Sequence, residues 1–204
     1  MSVQRSYGGR TAEERTAERR RRLVDAAIEV LAERGAGATM TAICAAAGLT
    51  ERYFYESFAN TEDALLAALD SVCDEIATAA IAAVENTAGT ADDRVHAMAR
   101  SVVDLVVARP AKGRVAVIEA STLPHLRARR RELVASFADL AAREAAALYG
   151  AEAWPPGRAR VQGIVYIAGL AELVAGWLSG DVDLSPDDLV AIAGDLFAAL
   201  ARQS

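Results

Sequence analysis

Residues 39–58 of this chain, TMTAICAAAGLTERYFYESF, decide its fold. Apolar side chains recur at helical spacing on both sides of Gly48, so the stretch predicts two short helices joined by a turn. Thr39 is the expected N-cap of the first helix, and Thr50 is the expected N-cap of the second. Gly48 permits a sharp turn, and Leu49 can fill the angle between the helices. Together these features predict a helix-turn-helix.

The remaining sequence predicts one helix after another and no strand. A first helix runs from near Ala12 to Gly35, and a long fourth helix begins after Asn60, which is its expected cap together with Asp63. Later helices are predicted at 92–108, 126–149, 155–179 and 186–201, with an undecided segment at 111–120. The predicted fold class is all-α, with an N-terminal three-helix helix-turn-helix domain and a larger C-terminal helical domain.

Charge divides the chain in the same way. The net charge is −6, with 22 basic and 28 acidic residues, yet residues 1–22 hold seven Arg against three Glu. We therefore expect a disordered basic arm at 1–12, a helix-turn-helix domain at 13–60 and an acidic body at 61–204. The arm is expected to touch phosphates or a minor groove, whereas the body would repel nucleic acid.

Other features limit the classes of site that the chain can hold. Cys44 and Cys73 fit no metal spacing and are predicted to be small apolar helix residues in a reducing cytoplasm, so neither a metal nor a cofactor is expected. The most apolar run, from Val161 to Leu178, is interrupted by Gln162 and Glu172 and predicts a buried helix rather than a membrane span.

The second helix of the helix-turn-helix carries side chains suited to reading DNA. It is short enough to enter a major groove end-on, and its first turn presents Glu51, Arg52 and Tyr53. Arginine can pair with guanine and glutamate with cytosine, although Glu51 would also be favourable at a helix start without any base. The hydroxyl of Thr50 and the free N–H groups at this helix start are suited to phosphate.

The segment from about Arg20 to Leu69 resembles the DNA-binding domain of the TetR family of transcriptional regulators. The matching elements are Glu33 with Gly35, Thr39, Ile43, Gly48-Leu49-Thr50, Tyr55 with Phe58, and Glu62 with Leu65.

The resemblance implies roles for individual residues. Thr39 and Thr41 would lie beside the DNA backbone, Tyr55 would donate its hydroxyl to a phosphate, and Phe58 would be core. Two positions depart from the family pattern: Thr61 replaces a phosphate-binding Lys, and Ser57 replaces a His or Tyr. The basic arm is expected to compensate for the weaker contacts. The predicted DNA-binding set is Thr39, Thr41, Thr50, Glu51, Arg52, Tyr53, Tyr55, Ser57 and Thr61. A second interpretation is that Arg52 is a surface residue and that the two tyrosines only pack.

The resemblance also implies a body that dimerises through its last two helices and holds an effector in the middle. Both helices are rich in Gly and Ala, which permits close helix approach, although these residues also suit an ordinary core. The predicted ligand-contacting residues are His96, Val102, Val106, Val117, Glu119, Phe137 and Tyr166, with Ile118 and His125 as further candidates. The run Arg127, Arg129, Arg130, Arg131 is interpreted as a solvated helix start or as an anion site.

The resemblance thus implies a cytoplasmic, homodimeric repressor. It would bind double-stranded palindromic operator DNA and be released by a small, largely apolar effector, with no role for a membrane. Two alternatives stay open: a DNA-binding adaptor controlled by a protein partner, and an activator. An enzyme is not expected, because His96 and His125 lack any recognisable catalytic arrangement with Ser, Cys or Asp.

Overall fold

The computed structural model describes residues 11–202, and every regular element among them is helical. The predicted all-α fold class is therefore confirmed. The α-helices are α1 Ala12–Arg34, α2 Met40–Ala47, α3 Glu51–Tyr55, α4 Thr61–Asn86, α5 Ala91–Ala108, α6 Pro110–Gly113, α7 Ala120–Thr122, α8 Pro124–Tyr149, α9 Pro156–Ser179 and α10 Pro186–Ala201. The segment left undecided by the sequence is helical too, since a π-helical turn, Arg114–Glu119, joins α6 to α7. Most of the predicted arm, residues 1–10, lies outside the described residues.

The three predicted N-cap residues all lie at helix starts, and two of them cap through their side chains. The side chain of Thr39 accepts a hydrogen bond from the amide of Ala42, and that of Asn60 accepts one from the amide of Asp63. Thr50 occupies the N-cap position of α3, but its side chain makes no capping bond. The amide that it would cap, that of Tyr53, donates instead to the main-chain oxygen of Thr50, 3.0 Å away. Thr50 therefore lies at the predicted N-cap position without the side-chain capping bond, and the residue is exposed.

The core of the N-terminal helices extends into the body. Leu31 of α1, Ile43 of α2, Phe54 of α3 and Leu69 of α4 pack in one buried cluster, which also includes Val115 of the π-helical turn. Cys44 and Cys73 are buried in the same cluster as free thiols, as predicted. Because α4 packs both in this cluster and against α5 and α8 of the body, it connects the helix-turn-helix to the body.

The body packs α8 against α9, and α5 against α4 and α10. The interpretation of α9 as a buried helix is wrong for the single chain. Gly163 and Tyr166 are buried against neighbouring helices, but the opposite side leaves Val161 62% and Val165 59% exposed. Only 11% of the most apolar 18-residue stretch of α9 is buried. The helix also has the length and mean hydropathy, 1.6, of a membrane span, which for a single helix is a weak indication.

Candidate DNA-binding surface and effector cavity

The nine predicted DNA-binding residues lie on α2, on α3, on the residues flanking these two helices and at the start of α4. Thr39, Thr41, Thr50, Glu51, Arg52 and Tyr55 are exposed, and Tyr53, Ser57 and Thr61 are half-buried. Phe54 and Phe58 are buried beneath them, with ring centroids 5.6 Å apart. The aromatic pair therefore fixes α3 while its polar side stays open to solvent.

The two tyrosines of α3 have different surroundings. Tyr55 is 60% exposed and touches Phe54 through a ring edge, with centroids 5.7 Å apart, so its hydroxyl is free to reach outward. Tyr53 packs under the guanidinium of Arg19, 4.6 Å from its ring centroid. The interpretation that both tyrosines only pack therefore fits Tyr53 and not Tyr55.

Arg52 is exposed and lies 3.2 Å from the carboxylate of Glu56, one turn further along. Surface pairs at this spacing contribute only about 0.3–0.5 kcal/mol. Glu56 therefore holds Arg52 weakly, and the side chain can exchange this partner for a base or a phosphate at little cost.

Most of the N-terminal arginines lie on the first helix, whose start at Ala12 agrees with the sequence prediction. The five arginines between residues 15 and 22 lie on α1, since the helix begins at Ala12. The arm itself retains Arg5 and Arg10, which lie outside the described residues.

Three of the α1 arginines brace the helix-turn-helix. Arg22 donates to the main-chain oxygen of Ala47 at the end of α2, 2.5 Å away, and Arg20 lies 4.5 Å from the ring centroid of Phe58. Arg19 lies 3.6 Å from the carboxylate of Glu56. These contacts orient α2 and α3 on α1, a positioning role that the charge pattern alone did not indicate.

An apolar cavity of about 220 Å³ lies within the body, between α4, α5, α8, α9 and α10. Five of the predicted ligand-contacting residues line it: Val102, Val106, Val117, Phe137 and Tyr166. Apolar side chains of α4 and α9, such as Ile76 and Leu170, complete the wall. The apolar stripe of α4 was visible in the sequence, but a stripe that lines a cavity looks the same as one that packs a core.

The polar contacts predicted for the cavity are corrected. His96 projects from α5 towards α10, where its Nε2 lies 3.4 Å from the carboxylate of Asp195. Glu119 faces α1 and lies 3.8 Å from the guanidinium of Arg114. His96 and Glu119 therefore do not line the cavity, because each projects from a different face of its helix than the neighbouring valines. Ile118 and His125 also lie outside the lining. The charged residues that do line the cavity are Arg130, which was predicted only as part of the arginine run, and Glu144, which was not predicted.

The arginine run at the start of α8 serves several purposes. Arg127 donates to the main-chain oxygens of Ser121 and Thr122. Arg129 bridges α8 to α4 through Asp70, 2.7 Å away. Arg131 is exposed, and Arg130 reaches the cavity. The exposed Arg127 and Arg131 fit a solvated helix start, and an anion site at this run stays a prediction.

The segment from α6 to the π-helical turn contacts the cavity and the N-terminal helices at once. Ala116 and Val117 line the cavity, whereas Val115 is buried in the N-terminal core. Arg114 Nε donates to the main-chain oxygen of Ala32 on α1, 3.3 Å away. Gly113 permits the close packing, since a Cβ there would lie 2.7 Å from Val106.

Glu119 adds a buried carboxylate at the same junction. Burial raises its pKa, and the nearby Arg114 opposes that shift. Gly35, at the end of α1, has φ of 51°, and a Cβ there would lie 2.9 Å from Glu119 Oε2. A side chain at residue 35 is therefore disfavoured by the left-handed backbone, and it would require the Glu119 carboxylate to shift.

The N-terminal part of the chain matches a known family of proteins. The family model for bacterial regulatory proteins of the tetR family matches residues 23–69, which cover the helix-turn-helix. No curated protein matches the chain by sequence.

Solved structures share the fold over nearly the whole chain. The fatty acid degradation regulator FadR from Bacillus halodurans is 18% identical, with a TM-score of 0.76 over 91% of this chain and 97% of its own. FadR from Bacillus subtilis, solved with stearoyl-CoA, is 21% identical, with a TM-score of 0.71 over 89% and 97%. AibR, solved with isovaleryl coenzyme A and operator DNA, is 21% identical, with a TM-score of 0.64 over 88% and 98%. Residues 23–69 thus match the DNA-binding domain of the tetR family of bacterial regulatory proteins, and the chain as a whole shares the fold of these solved regulators.

Proposed function

We propose that this chain is a cytoplasmic repressor that binds a palindromic operator as a homodimer and leaves it when a small, largely apolar effector enters the body. One observation carries the proposal. The segment that lines the cavity with Ala116 and Val117 also contacts the last turn of α1 through Arg114 and Ala32. A ligand that changes the position of this segment therefore changes the position of the helix-turn-helix. Release requires that the effector bind the DNA-incompatible arrangement more tightly than the DNA-bound one.

The DNA contacts are proposed for the exposed side of α3. Arg52 would read a base edge in the major groove, and the hydroxyl of Tyr55 would donate to a phosphate. Thr39, Thr41, Thr50 and Thr61 would add uncharged hydrogen bonds to the backbone. Because Thr61 carries no charge, binding would depend less steeply on salt than with lysine at this position.

The proposed dimer face is the exposed apolar side of α9 and α10, made of Val161, Ile164, Val165, Ile192 and Leu196. Large apolar side chains grouped on adjoining helices indicate an interaction surface. A dimer also satisfies the geometry of recognition, since two short helices set about 34–36 Å apart can read both halves of a palindrome.

The residues that line the cavity indicate the chemical class of the proposed effector. Nearly all of its wall is apolar, and two proteins of the same fold were solved with acyl-coenzyme A ligands. The open cavity favours this function over an adaptor controlled by a protein, for which a collapsed interior beside an exposed apolar patch would be expected. An activator would use the same DNA contacts. Measuring transcription from a promoter that carries the operator distinguishes the two, because a repressor lowers it and an activator raises it.

The DNA part is tested by selecting sequences from a pool of random duplexes at several salt concentrations. We expect enrichment of a palindrome that is lost with Arg52→Ala combined with Tyr55→Phe. Arg131→Ala is the matched control, because it removes an exposed arginine far from α3. Weak and sequence-independent binding by the wild-type protein would contradict the proposal.

The dimer is tested by sedimentation of Val165→Lys. A lysine in the middle of the apolar face should give monomers at concentrations where the wild-type protein is dimeric. Val107→Lys is the control, since Val107 is also an exposed valine but lies on α5. If Val165→Lys sediments like the wild type, the dimer uses another surface.

A further inference from the structure

We propose that the effector is an elongated amphiphile with one anionic head group, which binds Arg130 while its apolar tail runs along α8 towards Glu144. This inference rests on the proposed function and deepens it by naming the class of ligand. Arg130 and Glu144 are the charged side chains among the described residues that line the cavity.

The shape of the ligand follows from the side of α8 that faces the cavity. Arg130, Leu133, Val134, Phe137, Leu140, Ala141 and Glu144 all line it, at the three- and four-residue spacing of one helix face. Fourteen residues of α-helix rise about 21 Å. The two charged ends are thus separated by a continuous apolar wall of that length, which suits an extended hydrocarbon chain rather than a compact ring system.

Arg130 is placed to receive an anion. Its side chain is 23% exposed, and its ion partner is Glu172 of α9, 3.5 Å away. Glu172 is itself 76% exposed, so the pair is weak and its carboxylate returns to water when displaced. The neighbouring Arg129 differs, because Asp70 and Glu132 hold it at 2.7 and 2.8 Å. Of these two arginines, Arg130 is therefore the one able to exchange its partner for a ligand.

The orientation of the ligand in the cavity follows from Glu144, at the end of the apolar wall opposite Arg130. The carboxylate of Glu144 would repel an anionic group placed beside it, since like charges at close range are unfavourable. A ligand with one anionic end is thus oriented with that end at Arg130. A ligand with anions at both ends is disfavoured.

Two sources could supply the anionic head. A free fatty acid offers its carboxylate, and an acyl-coenzyme A offers its phosphates, in each case an oxyanion for the guanidinium. Palmitate and palmitoyl-CoA therefore serve as separate probes, and hexadecanol supplies a chain of the same length with a neutral head.

The test is calorimetric titration of the full-length protein without DNA, so that a failure of operator binding cannot affect the result. We expect palmitate or palmitoyl-CoA to bind the wild-type protein more tightly than hexadecanol does. Arg130→Gln should weaken the anionic ligand roughly 10- to 100-fold, the loss expected for a charged hydrogen bond. The same substitution should leave hexadecanol unchanged, and Arg131→Gln should bind all three ligands as the wild type does.

A second variant acts in the opposite direction. Glu172→Gln removes the carboxylate that competes for Arg130, so it should tighten the anionic ligand by a factor of roughly 1.5 to 5. This variant keeps the proposal testable if Arg130→Gln does not fold. The proposal is overturned if neither anionic probe binds the wild-type protein, if hexadecanol binds as tightly as they do, or if Arg130→Gln keeps full affinity for them.

Discussion

Arg114 Nε donates a hydrogen bond to the main-chain oxygen of Ala32, 3.3 Å away. Arg114 begins the π-helical turn that lines the cavity, and Ala32 lies in the last turn of α1. The two residues are 82 positions apart in the chain, so the contact is purely tertiary. It joins the part of the body that an effector would touch to the helix on which α2 and α3 are mounted.

Removing this hydrogen bond should weaken the response of operator binding to the effector more than it weakens the binding of operator or of effector alone. We expect Arg114→Ala to keep operator and effector affinities close to wild type. It should reduce the loss of operator affinity caused by saturating effector, which is typically worth about 1–3 kcal/mol in such systems. Operator titrations with and without the acyl ligand measure the difference. Arg127→Ala, which loses hydrogen bonds within the body only, should respond fully, and an undiminished response in Arg114→Ala would mean that coupling follows another route.

Introducing a lysine at residue 61 should strengthen binding to DNA of any sequence. Thr61 begins α4, next to the helix-turn-helix, so Thr61→Lys places an ammonium where it can meet a phosphate. One further phosphate contact should steepen the slope of log affinity against log salt by about 0.9. Thr78→Lys adds the same charge far along α4 and should leave the slope unchanged. Equal slopes for both variants would place residue 61 away from the DNA backbone.

A side chain at residue 163 should force α8 and α9 apart. A Cβ on Gly163 would lie 2.5 Å from the main-chain oxygen of Ala138, which cannot move without its helix. We expect Gly163→Ala to lower the free energy of unfolding in urea by roughly 1–3 kcal/mol, as overpacked cores do. Gly157→Ala on the same helix meets nothing within 4 Å and should change stability by less than about 1 kcal/mol. A neutral Gly163→Ala would show that the two helices are not in close contact.

The buried carboxylate of Glu119 should give stability a distinct pH dependence. Burial raises its pKa above the ordinary value of 4.5, so in that range the folded state binds more protons than the unfolded state. Its contribution to the free energy of unfolding therefore falls as pH rises through the ordinary value towards the raised one. Glu119→Gln should remove this decline, which urea unfolding at a series of acidic to neutral pH values would detect. Glu62→Gln, at an exposed position, controls for the loss of one carboxylate, and parallel curves for Glu119→Gln and wild type would contradict the expectation.

The sequence alone determined the elements whose causes are local. Spacing of apolar residues and caps such as Thr39 and Asn60 placed the helices, because a helix depends on residues three and four positions apart. The same local pattern identified the helix-turn-helix and the polar side of α3. Five valine and aromatic positions were also predicted to face inward, and they do line the cavity, although an inward-facing apolar residue looks the same in a sequence whether it lines a cavity or packs a core.

Only the tertiary structure decided which of these residues meet, because contacts between distant helices depend on crossing angle and on rotation about each axis. Arg130 reaches the cavity while its neighbour Arg129 binds Asp70, a difference of one residue, or about 100° around the helix. For the same reason His96 projects towards α10 instead of the cavity, and Val165 of α9 faces outward instead of into the core. A sequence records that each residue is charged or apolar, and packing alone decides what stands opposite it.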